Sequence, residues 1–153
     1  VGHLVEARGP IGHWFTWTPE QTEPVQLIAG GSGVVPLMSM VRTHAALEHP
    51  APFRLLQSVR APAFRSYRME LGALAGPTLD VDVVFTRQAP PDWHLPVGRL
   101  TRQTLAQLTI PASESPTVYV CGTTGFVETV ADALLALGHA EDRIRTERFG
   151  PTG

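Results

Sequence analysis

The sequence predicts an α/β fold in which a five-stranded parallel sheet is flanked by helices. Short apolar runs alternate with amphipathic segments from Val25 onward, which is the pattern of βα units around a parallel sheet. A glycine-rich turn directly follows the first apolar run, as expected where a buried strand leads into a helix. The chain has 153 residues, 43% of them apolar and 17% charged, so it is long enough for one domain with a full core.

Five segments are predicted to be strands and four to be helices. The strands are expected over residues 25–29, 53–59, 79–86, 117–121 and 143–146. The helices are expected over residues 35–47, 67–74, 101–108 and 126–137. Thr101 is positioned to cap the third helix, and Gly138 to end the fourth in a left-handed conformation.

Residues 1–24 differ from the rest of the chain. They show no helical period and contain three closely spaced aromatic residues, Trp14, Phe15 and Trp17. The segment is predicted to be the last strand and exit of another domain, and residues 25–153 the sheet domain. If the three aromatic side chains are exposed, they form an interface for another chain.

The turn at residues 30–36 is predicted to hold a pyrophosphate. Gly30, Gly31 and Gly33 allow a sharp turn and a close approach of the backbone to a ligand, while Ser32 adds a hydroxyl donor. Pro36 fits the first turn of the next helix, whose free N–H groups and positive dipole end would face a phosphate. The pattern is G-x-G-x-x-P rather than the common G-x-G-x-x-G, so a glycine-rich strand exit without a ligand is the alternative.

Basic and hydroxyl-bearing residues follow the second predicted strand. Ser58 and Arg60 end it, and Arg65, Tyr67 and Arg68 come soon after. In α/β dinucleotide sites an acidic residue at this place binds the ribose hydroxyls of NAD, whereas basic residues suit the 2′-phosphate of NADP. The sequence therefore favours NADP over NAD, the alternative being a solvated basic turn.

The last two predicted strands end in residues that could lie at a redox site. The fourth ends in Cys121 and Gly122, followed by Thr123, which could bind a ligand or cap the next helix. The thiol could pack against a nicotinamide ring or be an inert core cysteine. Near the chain end Glu147 and Phe149 share a face, as they also would in a plain edge strand.

Composition argues against several other functions. The net charge of −2 and the pI near 6.3 give no general field for nucleic acid. The most apolar window is too short and too interrupted to span a membrane. One cysteine is typical of a reducing compartment, which makes the cytoplasm the expected location. The six histidines are scattered, so no metal site is predicted.

In their order along the chain, these motifs resemble the ferredoxin-NADP reductase superfamily of flavin-dependent oxidoreductases, over about residues 2–153. The resemblance is to the pyridine-nucleotide-binding half of such a reductase. The segments that carry it are Arg8-Gly9-Pro10-Ile11-Gly12, Gly30-Gly31-Ser32-Gly33-Val34-Val35-Pro36, Ser58-Val59-Arg60, Gly98-Arg99, Cys121-Gly122 and Thr146-Glu147-Arg148-Phe149-Gly150.

The resemblance implies a role for each of these residues. The turn would bind the pyrophosphate and nicotinamide half of the cofactor, and the end of the second strand would bind the adenosine phosphate. The expected cofactor-binding residues are Gly30, Gly31, Ser32, Gly33, Pro36, Ser58, Arg60, Arg65, Tyr67, Arg68, Gly122 and Thr123. Cys121 would lie beside the nicotinamide, with Glu147 and Phe149 reaching the flavin edge. In the family, hydride passes from the nicotinamide to FAD, and single electrons pass on to an iron–sulfur, haem or flavodoxin partner.

The sequence departs from the family pattern at three places. Ser32 stands where threonine is frequent, and Thr123 stands where proline commonly follows the Cys-Gly pair. The flavin-binding barrel and its Arg-x-Tyr-Ser motif are absent apart from a last strand expected within residues 1–17. The chain is thus interpreted as the NAD(P)-binding half of an FAD-dependent reductase, inactive by itself. The alternative is a non-catalytic nucleotide-binding or interaction module that docks a separate flavin subunit through the aromatic patch.

Overall fold

A computed structural model describes residues 14–150 and contains a five-stranded, all-parallel sheet. The strands are β1 (Val25–Gly30), β2 (Phe53–Val59), β3 (Leu79–Phe85), β4 (Thr117–Thr123) and β5 (Ile144–Phe149). The helices are α1 (Val34–Ala46), α2 (Arg68–Leu74), α3 (Arg102–Leu108) and α4 (Thr124–Ala136). The predicted α/β class and five-stranded parallel sheet are confirmed.

Helices cover both faces of the sheet. Side chains alternate along each strand, so Leu27 and Tyr119 pack under α1 and α2, whereas Ile28 and Val120 pack under α3 and α4. Burial on both faces explains why β1 is a continuous apolar run instead of an alternating one. Its buried polar residue, Gln26, is satisfied, since its amide accepts a hydrogen bond from the Ile110 N–H at 2.9 Å and donates to the Arg54 carbonyl at 3.0 Å.

The strand order is β3-β2-β1-β4-β5. The chain builds outward from β1 through β2 to β3, then returns to the other side of β1 to form β4 and β5. This change of direction leaves a crevice at the carboxyl ends of β1 and β4, the place where open α/β sheets bind ligands.

Element boundaries differ from the sequence prediction mainly at the carboxyl edge of the sheet. Strand β4 continues to Thr123, and α4 begins at Thr124 instead of Phe126. Strand β5 extends to Phe149, because it keeps its register with β4 up to the pair Thr123 and Phe149. Tertiary pairing thus extends a strand whose exposed, charged sequence gave little local signal.

Residues 14–24 form turns and irregular structure packed against the sheet domain. Trp17 is 5% exposed and meets the Phe53 ring edge-on at 5.0 Å between centroids, and Phe15 meets Tyr119 in the same way at 5.4 Å. Trp14, by contrast, is 59% exposed. The condition for an aromatic interface is therefore met by Trp14 and not by Trp17, which belongs to the core. The expected barrel strand and the segment at residues 8–12 lie largely outside the described residues.

Candidate functional site

The glycine turn rests directly on the end of β4. Gly31 has a φ of +56°, a conformation that favours glycine. A Cβ atom at Gly33 would lie 2.1 Å from the Cys121 carbonyl oxygen, so only glycine fits there without displacing the backbone. Residues 31–33 form a short 3₁₀ turn that leads into α1. The turn is therefore fixed against the neighbouring strand before any ligand is present.

Two long helices begin at this edge of the sheet. Helix α1 follows β1 with Gly33 as its N-cap, and α4 follows β4 with Thr123 as its N-cap. Neither N-cap residue donates or accepts a side-chain hydrogen bond with the first turn of its helix. The positive dipole ends of both 13-residue helices therefore lie at the crevice, although the first N–H of α1, that of Val34, already donates to the Ser32 carbonyl oxygen.

The Phe126 ring lies against both strand ends. A Cβ atom at Gly30 would approach the Phe126 ring to 2.7 Å, and one at Gly122 would approach it to 2.6 Å. Glycine at these two positions therefore makes room for an aromatic ring. Sequence reasoning missed Phe126, although a large apolar residue in the first turn of a helix that follows Cys-Gly is a usable signal.

These elements border a cleft of about 980 Å³ that opens at the carboxyl ends of the strands. The volume lies within the range of known ligand-binding clefts. Eight residues predicted from the sequence as site residues line it: Gly30, Gly31, Ser32, Ser58, Arg60, Arg65, Thr123 and Phe149. Others that the sequence reasoning did not select as site residues include Phe64, Thr86, Arg87, Arg99, Phe126 and Thr129.

The described lining of the cleft is strongly basic. It contains Arg60, Arg65, Arg87 and Arg99 and no aspartate or glutamate, although the whole chain has a net charge of −2. The Nε–H of Arg65 is buried and has no hydrogen-bond partner among residues 14–150. Burial, and secondarily the nearby Arg68, lowers the pKa of Arg65. A bound anion would both neutralise these charges and satisfy the unpaired donor.

The loop that carries Arg65 is held by a buried side chain of β2. The Gln57 side-chain amide donates to the Ser66 carbonyl oxygen at 3.2 Å, and Gln57 is fully buried. Its other polar atom, Oε1, has no partner among residues 14–150. The hydrogen bond from this buried amide fixes the loop that forms one wall of the cleft, while the unpaired Oε1 costs free energy of folding.

Cys121 lies beside the glycine turn, but its sulfur is in the core. The residue is 1% exposed, belongs to the cluster under α1 and does not line the cleft. Burial, together with the smaller effect of the negative charge of Glu147, its register partner on β5, raises the pKa of its thiol to about 11. The thiol is therefore protonated at neutral pH and suited to packing rather than to nucleophilic chemistry.

The remaining predicted residues lie around the cleft without lining it. Pro36 is in the first turn of α1, and Glu147 is exposed on β5. Tyr67 has a φ of 58°, and the centroid of its ring lies 5.4 Å from Cζ of the Arg42 guanidinium. Arg68 is the first residue of α2 and is exposed. The structure thus brings together the turn, Ser58, Arg60 and Arg65, but it turns Tyr67 toward α1.

The described residues also bear on metal and membrane binding. Within residues 14–150 there is no group of three or more histidine, cysteine, aspartate or glutamate side chains placed to hold a metal ion. In the same described part of the chain, none of the helices has the length and apolar character needed to cross a bilayer.

Comparison with known proteins agrees with this architecture. The sequence model of the family described as oxidoreductase NAD-binding domain matches residues 27–132. A flavohemoprotein of Rhodopirellula baltica is 31% identical over 156 residues, covering 98% of this chain and 38% of that protein. NADH-cytochrome b5 reductase 1 of Scheffersomyces stipitis is 30% identical over 146 residues, covering 92% of this chain and 50% of that protein.

Solved structures of other proteins share this fold. The flavohem-like FAD/NAD binding domain of nitric oxide dioxygenase from Vibrio cholerae superposes with a TM-score of 0.79 at 28% identity, covering 93% of this chain and 56% of that one. The cytochrome b5 reductase domain of Ulva prolifera nitrate reductase has a TM-score of 0.80 at 19% identity, covering 93% and 59%, and supports the fold.

The fold and the matched family define a nucleotide-binding α/β domain of the oxidoreductase type. The chain belongs to the oxidoreductase NAD-binding domain family, the nucleotide-binding half of the ferredoxin reductase superfamily. It spans 38% and 50% of the length of the two curated relatives described above.

Proposed function

We propose that this chain binds NADP(H) in the arginine-lined cleft and presents the nicotinamide to the flavin of an FAD-dependent oxidoreductase. The observation that carries the proposal is the glycine turn beside the N-terminus of α4, at a cleft whose described lining has four arginines and no carboxylate. A dinucleotide carries its negative charge on the pyrophosphate, which matches this arrangement of donors.

The residues present fit a nicotinamide dinucleotide at both ends of the cleft. At the turn, Gly31 and Ser32 line the cleft and present backbone N–H groups and a hydroxyl, suited to a pyrophosphate. At the end of β2, Ser58 and Arg60 line the cleft with no acidic residue beside them, which favours a phosphorylated ribose over free ribose hydroxyls. The unpaired Nε–H of Arg65 is a further donor for that phosphate.

The nicotinamide half is assigned to the region near the ends of β4 and β5. Thr123 and Phe149 are register partners, and both line the cleft. Phe149 is 38% exposed, so its ring can cover the nicotinamide or the flavin edge. Cys121 shapes the floor through its backbone contact with Gly33, and Glu147 stays solvated beside it.

A nicotinamide dinucleotide held in this cleft would supply hydride chemistry to a flavin bound by the rest of the reductase. The part of this chain in that chemistry is positioning, because the turn and the cationic cleft fix the two halves of the dinucleotide relative to each other. We assign FAD and the acceptor to a longer protein of which this domain forms a part, since the similar Vibrio cholerae structure is described as an FAD/NAD binding domain and is longer than this chain.

Calorimetric titration of the chain with NADPH and with NADH at low salt tests the proposal. NADPH is expected to bind, and Arg60→Ala is expected to weaken NADPH binding by about tenfold or more, since it removes a charge-assisted hydrogen bond. Arg102→Ala, which changes an exposed arginine at the start of α3, is the matched control. Absence of heat with both dinucleotides would contradict nucleotide binding, and a preference for NADH that Arg60→Ala leaves unchanged would contradict the phosphate assignment.

Hydride transfer requires a second experiment with a version of the protein that includes a flavin-binding half. NADPH-dependent reduction of a dye is expected for that version and not for residues 1–153 alone. A Phe149→Ala change in the longer version should lower the rate of flavin reduction more than it changes NADPH affinity. Equal rates for both versions would show that the flavin half is not needed.

A further inference from the structure

We propose that Arg87 and Arg99, at the end of β3 and in the loop beyond it, act with Arg60 as specificity-determining residues for a phosphate on the adenosine ribose. This inference rests on the proposed function and extends the binding site from the end of β2 to the neighbouring strand. Four arginines line the cleft, and backbone hydrogen bonds between the ends of β2 and β3 show which of them lie near Arg60.

The segments after β2 and β3 are joined directly to each other. The Arg60 carbonyl oxygen accepts hydrogen bonds from the Arg87 N–H and the Gln88 N–H, both at 3.1 Å. One step earlier, the Thr86 N–H donates to the Val59 carbonyl oxygen at 2.8 Å. Arg60 and Arg87 therefore start from neighbouring backbone positions, and both line the same cleft.

Arg99 is brought to the same place from further along the chain. The Gly98 N–H donates to the Phe85 carbonyl oxygen at 2.9 Å, which fixes the loop to the end of β3. On the other side, Leu100 is 7% exposed and packs in the core under α3 and α4. Arg99 is thus held between two anchored residues, with its own side chain exposed in the cleft.

Among the described residues, three arginines of the cleft differ from several others in the chain in their side-chain contacts. Arg42 pairs with Glu70 and Arg54 with Asp82, and Arg143 and Arg145 donate to backbone carbonyls. Within residues 14–150, no ion pair or side-chain hydrogen bond is formed by Arg60, Arg87 or Arg99. Three arginines that line one cleft, with no carboxylate in its described lining, favour the binding of a dianion there.

The described lining of the cleft has no carboxylate that could accept hydrogen bonds from a ribose, and this indicates the chemistry of the ligand. A free ribose offers hydroxyl groups, which are best recognised by a carboxylate, and no carboxylate lines the described cleft. A phosphate on the ribose instead offers several oxygen acceptors to guanidinium groups that arrive from two strands. Sharing the phosphate among three arginines also predicts that loss of Arg60 alone weakens discrimination without abolishing it.

Titration of single variants of the full chain tests this inference, with NADPH and NADH as the probes. Arg87→Ala and Arg99→Ala are each expected to weaken NADPH binding by about tenfold, while NADH binding changes by less than about twofold. Arg87→Lys should retain part of the NADPH affinity, because it keeps the charge and loses the bidentate geometry. Arg102→Ala is the control for a general loss of positive charge, and thermal unfolding of every variant checks that the fold is kept.

Three outcomes would overturn the assignment, and they separate it from the proposed function. Wild-type protein that binds neither dinucleotide overturns the proposed function together with this inference. NADPH binding that survives Arg87→Ala and Arg99→Ala unchanged overturns the inference alone. Equal losses for NADPH and NADH in these variants would show that the two residues merely support the loop.

Discussion

Gly33 is the residue at which the candidate site and the sheet meet. The position of a Cβ atom there, 2.1 Å from the Cys121 carbonyl oxygen and 2.5 Å from its carbonyl carbon, leaves no space for any other residue. Neither atom belongs to a flexible side chain, so the clash could be relieved only by moving the β4 backbone. The glycine is therefore required by packing as well as by ligand approach.

Gly33→Ala should destabilise the protein by about 3 kcal/mol or more, at the upper end of overpacking costs, because the backbone of β4 must shift. The measurement is the free energy of unfolding from denaturant titration. Gly72→Ala is the matched control, since a Cβ atom there meets nothing within 4 Å and alanine is favoured inside a helix. A Gly33→Ala variant as stable as Gly72→Ala would contradict the close contact.

Cys121 gives a residue-scale prediction for high pH. Its pKa is raised from the ordinary value of 9.0 to about 11, first by burial and then by Glu147. Below about pH 9 the thiol is protonated in both states and its contribution to stability is fully present. Between about pH 9 and 11 the unfolded chain ionises first, so the free energy of unfolding falls as the pH rises.

Comparison with Cys121→Ala isolates this effect. The stability advantage of the wild type over the variant is expected to shrink between about pH 9 and 11, as measured by denaturant unfolding at each pH. The sequence contains no lysine, so few other groups titrate in that window. An advantage that stays constant over the range would mean that the thiol is not buried as described.

At the scale of elements, apolar runs were sufficient to predict the sheet. Strand β1 and the buried part of β4 are continuous apolar segments, and both were expected nearly at their observed bounds. The alternation along residues 145–149 indicates a strand, but it does not fix where β5 ends, because exposed residues such as Glu147 and Arg148 carry no burial signal and are placed by pairing with β4. The local sequence therefore predicts which strand residues are buried better than it predicts how strands pair.

The same limit explains which site residues were missed. The glycine turn and Arg60 could be found because each follows a predicted strand directly. Arg87 also follows a strand closely, but its relevance depends on the backbone pairing between the ends of β2 and β3. Tyr67 was grouped with the site by sequence proximity, and the start of α2 places it against Arg42 and outside the described cleft lining, so its role in binding stays a prediction.

The segment before β1 should contribute to the stability of the sheet domain. Trp17→Ala is expected to cost about 3–5 kcal/mol, because it empties a core position between Phe53 and His49. Trp14→Ala, at a position 59% exposed, should change the free energy of unfolding by less than about 0.5 kcal/mol. Chemical denaturation of both variants checks the difference, and equal small effects would show that residues 14–24 are not packed in solution.

For the whole molecule, the notable property is the contrast between overall and local charge. A net charge of −2 gives no long-range attraction for anions, yet four of the twelve basic residues line one cleft. The attraction is therefore local and is effective only for a ligand that enters the cleft. This distribution favours a small anionic ligand over a polyanion.

The charge distribution predicts that NADPH affinity depends on salt more steeply than NADH affinity does. Raising the ionic strength from about 0.01 M to about 1 M shortens the screening length from about 30 Å to about 3 Å. The ratio of the two dissociation constants, measured by calorimetry across that range, should move toward one. A ratio that salt does not affect would argue against a phosphate held by arginines.

The contact between the glycine turn and β4 also offers a way to follow nucleotide binding. Cys121 is the sole cysteine in the sequence, and its carbonyl group abuts the turn. A chain enriched with carbon-13 only at the cysteine carbonyl would give one backbone resonance from this position. Filling of the turn by a dinucleotide would perturb that signal, so occupancy could be followed by nuclear magnetic resonance with no dye and no substitution.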